Sequence, residues 1–554
     1  MNSKFLRLAL PAALFAIVLF ITACGGSDDS DDGGSGETGP DPIALAPADV
    51  PFYMDVVVKP EGDLGENLKS AVSKISGIED PGAGIISEIN DSLAEDSDMT
   101  YEDDIEPWLG SRAGIFVSGF QVDTQEPDAA GVVSVTDTGA AQSFIDSTLE
   151  AEGGDATDET YEDVNYKLDE EGAAIGIVGD YLVVGTEQGF KDAVDASNGD
   201  SLESNTDATA ALDEAPDDSV FSLYADATAI GDLVKSSPDL SGADLKQVDE
   251  ALKQFPEGPI EAWGTVTDSS FAINGSTPTP EGAPAPSDLI TTFPGDSWLA
   301  AASTDVGGQL QDSLTQFQTA FQTSLESSAG QLPPGFDTAN LDPIAQIEKQ
   351  TGLDFEKDLG WIGDAGFFLE GTDLLGVGGG LVLESTNDKD ASAAIGKLQT
   401  ALEKDPAVKQ QADIAENQQG DGFTISAPPF SAEVAVRDGK AIATGGSENV
   451  DSVLNPDETL GDSERFSSAT GNLADGATPT FFLDMPPLLQ LIESQGAATD
   501  DPDYALAQPY LHAIDYIVAG SGESDGRTSA SFVLGVKESD SAGGTDVAPA
   551  VITP

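Results

Sequence analysis

The sequence predicts an α+β fold in which one antiparallel-sheet unit with packed helices occurs twice in tandem. Three features support this prediction: apolar runs joined by hairpin signals, helical apolar periodicity between them, and matches between the two halves that keep the same order. A chain of 554 residues is also too long to fold around a single core.

Composition divides the chain into six segments. They are a signal peptide at 1–23, an acylated cysteine with a disordered acidic tether at 24–42, a first α+β repeat at 43–280, a Pro-rich linker at 281–288, a second α+β repeat at 289–537 and a disordered tail at 538–554.

The N-terminus has the pattern of a secretory signal. Lys4 and Arg7 precede an apolar run at 8–21 that is too short for a comfortable membrane span. The motif Ile-Thr-Ala at 21–23 then precedes Cys24, the only cysteine of the chain, and resembles the lipobox of bacterial lipoproteins. We therefore expect a lipid on Cys24 and a location on the extracytoplasmic face of the cell membrane. The alternative is an ordinary signal peptide that happens to contain a cysteine.

The tether and the overall charge favour a solvated, acidic protein. Residues 25–42 are rich in Gly, Asp and Ser, so they predict a flexible coil that spans about 25 Å on average. The chain has 100 acidic and 22 basic residues, a formal net charge of −78. Such a surface repels nucleic acid and anionic lipid headgroups. Its acidity has two interpretations, solubility in a saline habitat or cation binding.

The two halves match at several collinear places, which predicts a duplication. The matched segments are 101–116 with 355–368, 131–144 with 380–395, 173–186 with 432–444, and 221–226 with 481–484.

Local signals place hairpins and helices in both repeats. Asp438-Gly439 lies between two alternating runs, as is typical of a β-hairpin, and Gly179-Asp180 has the corresponding place in the first repeat. Apolar residues from Leu64 to Ile75, and from Leu310 to Leu325, follow a helical period before the matched tryptophan segments. Short helices are predicted at 188–196 and 448–454.

Few kinds of chemistry are open to this composition. The chain has one His and one Cys, too few for a zinc site built from those ligands. It has no phosphate-binding loop, and the glycines at 376–380 lack the last residue of a dinucleotide fingerprint. We therefore expect no catalytic site, no metal and no cofactor. A carboxylate-dependent hydrolase acting on envelope glycans stays open, because acidic residues are abundant.

Several residues have two possible roles. Trp108 and Trp361 either line a ligand groove or fill the core beside a glycine turn. Asp104 and Asp358, which precede these tryptophans, are either an acid/base pair or turn and capping residues. His512 is either a catalytic base or an ordinary helix residue.

The lipobox, the acidic tether and the segment Asp104-Ile-Glu-Pro-Trp108-Leu-Gly110 resemble a bacterial family of unknown function. Its members are secreted or lipid-anchored envelope proteins with a Pro-Trp-Leu-Gly signature, and the resemblance covers most of residues 43–537. The second repeat departs from it, because Gly360 precedes Trp361 in place of proline. The resemblance implies location and architecture, and no functional residues.

The function we expect is that of a lipid-anchored envelope protein that binds or scaffolds a partner without catalysis. The alternatives are a carrier of an apolar ligand and the hydrolase named above. The membrane is the one partner that the sequence predicts, through the lipid on Cys24.

Overall fold

Hairpin turns and amphipathic helices form where their sequence signals lie. In a computed structural model, Asp438 and Gly439 both have positive φ (52° and 76°), as a two-residue type I′ turn requires, and they join two strands. Gly179-Asp180 joins the corresponding strands of the first half. The structure describes residues 39–120, 127–151, 156–235, 248, 258–280, 282–315, 344, 348–349, 352–373, 376–494 and 501–537.

These residues divide into two units. The first contains residues up to 281 together with those from 524 onwards, and the second contains 282–523. The division begins at the predicted linker. At the other end it departs from the predicted second repeat at 289–537, because the last strand pairs within the first unit.

The first unit is an antiparallel sheet with the strand order β4-β5-β6-β7-β3-β2-β1-β8-β9-β10-β20. Its strands are β1 Phe52–Val57, β2 Leu109–Phe120, β3 Pro127–Val135, β4 Thr157–Tyr161, β5 Val164–Leu168, β6 Ala173–Val178, β7 Tyr181–Thr186, β8 Phe221–Asp226, β9 Pro259–Thr267, β10 Ser270–Pro278 and β20 Arg527–Val536. Its helices are α1 Gly62–Ser76, α2 Pro81–Asp96, α3 Thr138–Ala151, α4 Glu187–Asn198, α5 Thr206–Leu212 and α6 Ala227–Lys235.

The second unit is an antiparallel sheet with the order β14-β15-β16-β17-β13-β12-β11-β18-β19. Its strands are β11 Leu299–Ser303, β12 Ile362–Glu370, β13 Gly378–Ser385, β14 Asp413–Glu416, β15 Gly422–Ala427, β16 Phe430–Arg437, β17 Lys440–Gly445, β18 Thr478–Asp484 and β19 Ile514–Ser524. Its helices are α7 Phe355–Asp358, α8 Asp388–Lys404, α9 Pro406–Gln411, α10 Val450–Leu454, α11 Glu464–Thr470, α12 Met485–Ser494 and α13 Pro502–Ala513.

The two sheets share one strand order. If ten is added to each number in the series β4-β5-β6-β7-β3-β2-β1-β8-β9 of the first unit, the result is the strand order of the second unit. The mixed α+β class is thus confirmed. Helix α1 lies where the apolar periodicity predicts it, and α4 and α10 lie at the short helices predicted at 188–196 and 448–454. Residues 306–315 are helical, and the rest of the helix predicted up to Leu325 lies outside the described residues.

The last strand is held in the first unit by long-range polar contacts. Arg527 of β20 donates to Glu261 Oε1 of β9 at 2.6 Å and to Ser276 Oγ of β10 at 2.7 Å. Ser531 Oγ donates to Asn274 Oδ1 at 2.7 Å, and both side chains are buried. These contacts explain why residues 527–536 group with the first unit, whose strands β9 and β10 lie some 250 positions earlier in the chain.

Candidate functional site

The two matched tryptophans are buried. Trp108 donates its indole N–H to the Asp104 carbonyl at 2.7 Å and packs 5.3 Å from the ring of Phe144. Trp361 lies in a cluster with Ile362, Ala391 and Ala394. Both rings fill the space between the sheet and a helix, so neither lines an open groove.

The two aspartates that precede the tryptophans cap local turns. Asp104 Oδ2 accepts the backbone N–H of Thr100 at 2.8 Å, and Asp358 Oδ2 accepts that of Asp354 at 2.7 Å. Asp358 also pairs with Lys397. Burial alone would raise the pKa of Asp358, but the backbone N–H and the ammonium together lower it. This is the capping role.

The one histidine belongs to a polar cluster between two helices. His512 Nε2 lies 2.8 Å from Glu493 Oε1, and the same oxygen accepts from Tyr504 and from Gln508 at 2.9 Å. The hydrogen bond from His512, with those from Tyr504 and Gln508, lowers the pKa of Glu493. The cluster joins α12 to α13, and it contains neither a serine nor a cysteine nucleophile.

The glycines at 376–380 allow close packing. A Cβ on Gly380 would meet the ring of Phe368 at 2.8 Å, and a Cβ on Gly378 would meet Ser447 Oγ at 2.2 Å. These residues belong to β13 and to the turn before it, and the close backbone approach accounts for them.

Two glutamates, each hydrogen-bonded to a second carboxyl group, have a raised pKa. Burial and a hydrogen bond with Glu448 raise the pKa of Glu370 to about 8. Burial and a hydrogen bond with Glu214 raise the pKa of Glu261 to about 7. A glycosidase needs carboxyl groups about 5–10 Å apart with substrate between them. The members of each pair instead bond to one another.

An ion pair lies in the centre of the first unit. Arg112 Nε donates to Asp55 Oδ2 at 2.7 Å, and Ser222 Oγ donates to the other oxygen of the same carboxylate. Asp55 and Ser222 are buried. Burial, with Asp55 nearby, raises the pKa of Tyr53 well above its usual range. No sequence motif reveals this cluster, because Asp55, Arg112 and Ser222 lie on three strands that are far apart along the chain.

The outer face of the second sheet is apolar and partly open. Phe367 and Leu381 are directly paired across β12 and β13, and they are 43% and 45% exposed. Their neighbours in register are half-buried and apolar. We call this surface the open face: Leu299, Ala301, Phe367, Leu369, Leu381, Phe481 and Leu483.

The opposite faces of these strands explain the continuous apolar sequence. Ala300, Phe368, Val382 and Phe482 alternate with the open face and are fully buried in the core. A strand that is apolar on both sides is typical of a sheet covered on both sides. The continuous apolar run Ala365–Leu369 of β12 was the sequence signal from which the open face could have been predicted.

Some predicted sites lie outside the described residues: Cys24, most of the tether and the tail. No helix within the described ranges is long and apolar enough to cross a bilayer. The same ranges contain no cluster of three acidic, His or Cys side chains suited to a metal ion.

The chain belongs to the family described as "Protein of unknown function (DUF3352)", which matches residues 83–534. No curated protein matches the chain. Two solved structures of TP0453 show weak likeness. Crystal form III has 13% identity and a TM-score of 0.22 over 43% of this chain and 79% of that chain. Crystal form I has 12% identity and a TM-score of 0.24 over 45% and 82%. Likenesses this weak carry no argument.

Proposed function

We propose that this protein is a lipid-anchored envelope protein that holds an apolar ligand on the open face and performs no catalysis. The open face is the observation that carries the proposal. A chain with 100 acidic residues places none of them among the seven side chains of this surface. An apolar ligand that covers these side chains releases the water in contact with them. This contributes roughly 25 cal/mol of favourable free energy per Å² of apolar surface buried.

The structural roles of the chemical candidates support a binding function. Asp104 and Asp358 cap turns, and His512 bonds to a carboxylate between two helices. The carrier interpretation fits the open face better than a protein scaffold does, because the exposed centre consists of only two large side chains. Protein partners usually need 20–30 residues on each side.

The anchor is the second part of the proposal. The lipobox at 21–23 and Cys24 support it, and the acidic tether would separate the units from the headgroups. We expect Cys24→Ala to release the protein from the membrane fraction or to block its processing. Fractionation and the mass of the mature protein measure this. Normal processing with wild-type membrane retention would place the anchor elsewhere.

We also propose that the two units arose by tandem duplication. The strand order that they share supports this, as do the isolated bridges Pro47–Ser201 and Pro294–Thr459, which occur before β1 and before β11. In each unit the bridge connects the segment before β1 or β11 with the start of a 3-10 turn. This turn is Leu202–Ser204 in the first unit and Leu460–Asp462 in the second.

The ligand is tested by extraction of the full chain in a mild detergent, followed by native mass spectrometry. We expect the wild type to retain an apolar molecule and the double variant Phe367→Ser/Leu381→Ser to lose most of it. Ile273→Ser is the matched control, since Ile273 is a strand residue of the first unit that is 53% exposed. Equal occupancy in wild type and double variant, or no ligand in either, would contradict the proposal.

A further inference from the structure

The open face continues beyond its seven side chains as a row of residues that are paired directly across the strands. The row crosses β18, β11 and β12 at Leu483, Leu299 and Leu369, and beyond Leu483 it ends at Ile517 of β19. Directly paired residues of an antiparallel sheet lie on the same face. Ile517 therefore extends the open face to the last strand of the second unit.

In the other direction the row crosses the remaining strands of the second unit. Beyond Leu369 its members, each in register with the next, are Gly379 of β13, Gly445 of β17, Ala432 of β16, Ile425 of β15 and Ile414 of β14. We call these nine residues, from Ile414 to Ile517, the cross-strand row.

The cross-strand row is apolar and partly open along its whole length. None of its nine side chains is polar, and all nine residues are half-buried. Nine strands that lie about 4.8 Å apart give it a length of about 38 Å. It is therefore longer than the hydrocarbon core of a bilayer, which is about 30 Å thick.

The core closes one side of the row and leaves the other side open. Phe423 and Val434 lie next to the row on the same face and are buried, and α8 packs beside them against Val436. Open space remains above Gly445, because a Cβ there would meet only the carbonyl oxygen of Ser431, at 3.8 Å. A glycine within a strand often marks a place where another molecule approaches the backbone closely.

We propose that the apolar ligand is a phospholipid whose acyl chain lies along the cross-strand row. This inference deepens the function proposed above and rests on it. The backbone N–H and C=O groups beneath the row bond to one another within the sheet, so the row offers a ligand no hydrogen bond. A peptide laid there would bury polar groups without partners, whereas a hydrocarbon chain has none to bury.

The shape of the surface also favours a single hydrocarbon chain over a protein partner. The row and its neighbours Phe367 and Leu381 form a strip that is two residues wide. A strip about 38 Å long and of that width covers roughly 400 Å², about half of what each partner buries in a standard protein interface.

Charge determines which headgroup fits. Glu416 of β14 is exposed on the same face as Ile414, and the chain has a net charge of −78. Such a surface repels an anionic headgroup and the carboxylate of a free fatty acid. We therefore expect a zwitterionic phospholipid, and phosphatidylcholine is the probe.

The experiment offers two phosphatidylcholines, dilauroyl and dipalmitoyl, together to the full chain in mild detergent. Native mass spectrometry measures the occupancy of each. Gly445→Val is the test variant, because it places a branched side chain in the open space of the row. Ser426→Val is the matched control, since Ser426 is exposed on the opposite face of β15 from Ile425. Circular dichroism checks that both variants keep the fold.

The effect to measure is the ratio of dipalmitoyl to dilauroyl occupancy. Each methylene that the row covers can raise affinity by up to about fourfold, so the wild type should prefer the longer chain. We expect Gly445→Val to lower the ratio by roughly tenfold and Ser426→Val to leave it unchanged. Partition into detergent is the same for all three chains and cancels in this comparison.

Three results would overturn the inference. They are an equal ratio in wild type and Gly445→Val, uptake of neither lipid by the wild type, and stronger binding of palmitate than of dipalmitoylphosphatidylcholine.

The double variant Phe367→Ser/Leu381→Ser separates this failure from that of the proposed function. If it loses the molecule extracted from cells while Gly445→Val keeps the wild-type lipid ratio, the open face binds a ligand but the row does not hold an acyl chain. If the double variant keeps the extracted molecule, the proposed function is refuted and the inference falls with it.

Discussion

The two units share a strand order but differ at the centre of both sheet faces. In the first unit the inner face holds the ion pair of Asp55 and Arg112, and Asp55 is paired in register with Gly114. In the second unit the corresponding residue of β11 is Ala302, paired with Gly366. Two residues before that glycine stands Asp364, which accepts from Thr304 Oγ1 and from Asp305 N.

The outer faces differ in the exposure of their central residues, which is greater in the second unit. Phe367 and Leu381 of the open face correspond in register to Ile115 and Gly131 of the first unit, where Ile115 is half-buried and Gly131 is buried. The same ladder therefore tolerates a charged centre in one unit and an exposed apolar surface in the other. Strand order specifies the scaffold, and side chains at a few register positions specify what each unit can bind.

The largest effect should come from the tryptophans, where the units are most alike. We expect Trp108→Ala and Trp361→Ala each to lower the free energy of unfolding by about 3–5 kcal/mol, since each removes a buried ring and leaves a cavity. Urea denaturation of the full chain measures it. Midpoints unchanged within error, together with rings open to a fluorescence quencher, would show that the tryptophans belong to a surface site.

The tryptophans also offer a finer comparison. Trp108 has an acceptor for its indole N–H, whereas the described residues provide none within hydrogen-bond distance of Trp361 Nε1. Trp108→Phe should therefore destabilise by about 1 kcal/mol more than Trp361→Phe.

The ion pair should give the next largest effect. We expect Arg112→Met to cost about 3 kcal/mol, because it leaves the buried carboxylate of Asp55 without its cation. Asp364→Ala, the matched change in the second unit, should cost about 1 kcal/mol or less. The double variant Asp55→Ala/Arg112→Met, which removes both charges, should be more stable than Arg112→Met alone. If it is not, the ion pair is not what distinguishes the two centres.

A smaller difference should appear with pH. Position 370 is Glu in the second unit, whereas the corresponding end of β2, where the register shifts between Val117 and Gly119, carries no acidic residue. Because the pKa of Glu370 is raised to about 8, ionisation opposes folding, so stability is lost as pH rises from about 4.5 to about 8. Glu370→Gln should reduce this loss by about 1–2 kcal/mol, after allowance for partial exposure. Urea unfolding at pH 5 and pH 8.5 measures it.

The control for this comparison is Glu403→Gln at an exposed position of α8. If wild type and Glu370→Gln lose the same stability between the two pH values, Glu370 is ionised throughout and the pair with Glu448 is not protonated.

Local features of the chain were predictable from the sequence alone. The turn at Asp438-Gly439 requires positive φ at two adjacent residues. Few residue pairs other than Asp-Gly, Asn-Gly and Gly-Gly adopt this conformation readily. Apolar periodicity located α1, and burial of Trp108 and Trp361 followed from their place before core strands. Each of these features depends on neighbours a few residues apart.

Only the tertiary structure decided which distant residues meet. Asp55 and Arg112 are 57 positions apart, and β20 joins β10 across about 250 positions, so neither contact leaves a periodic signal in the sequence.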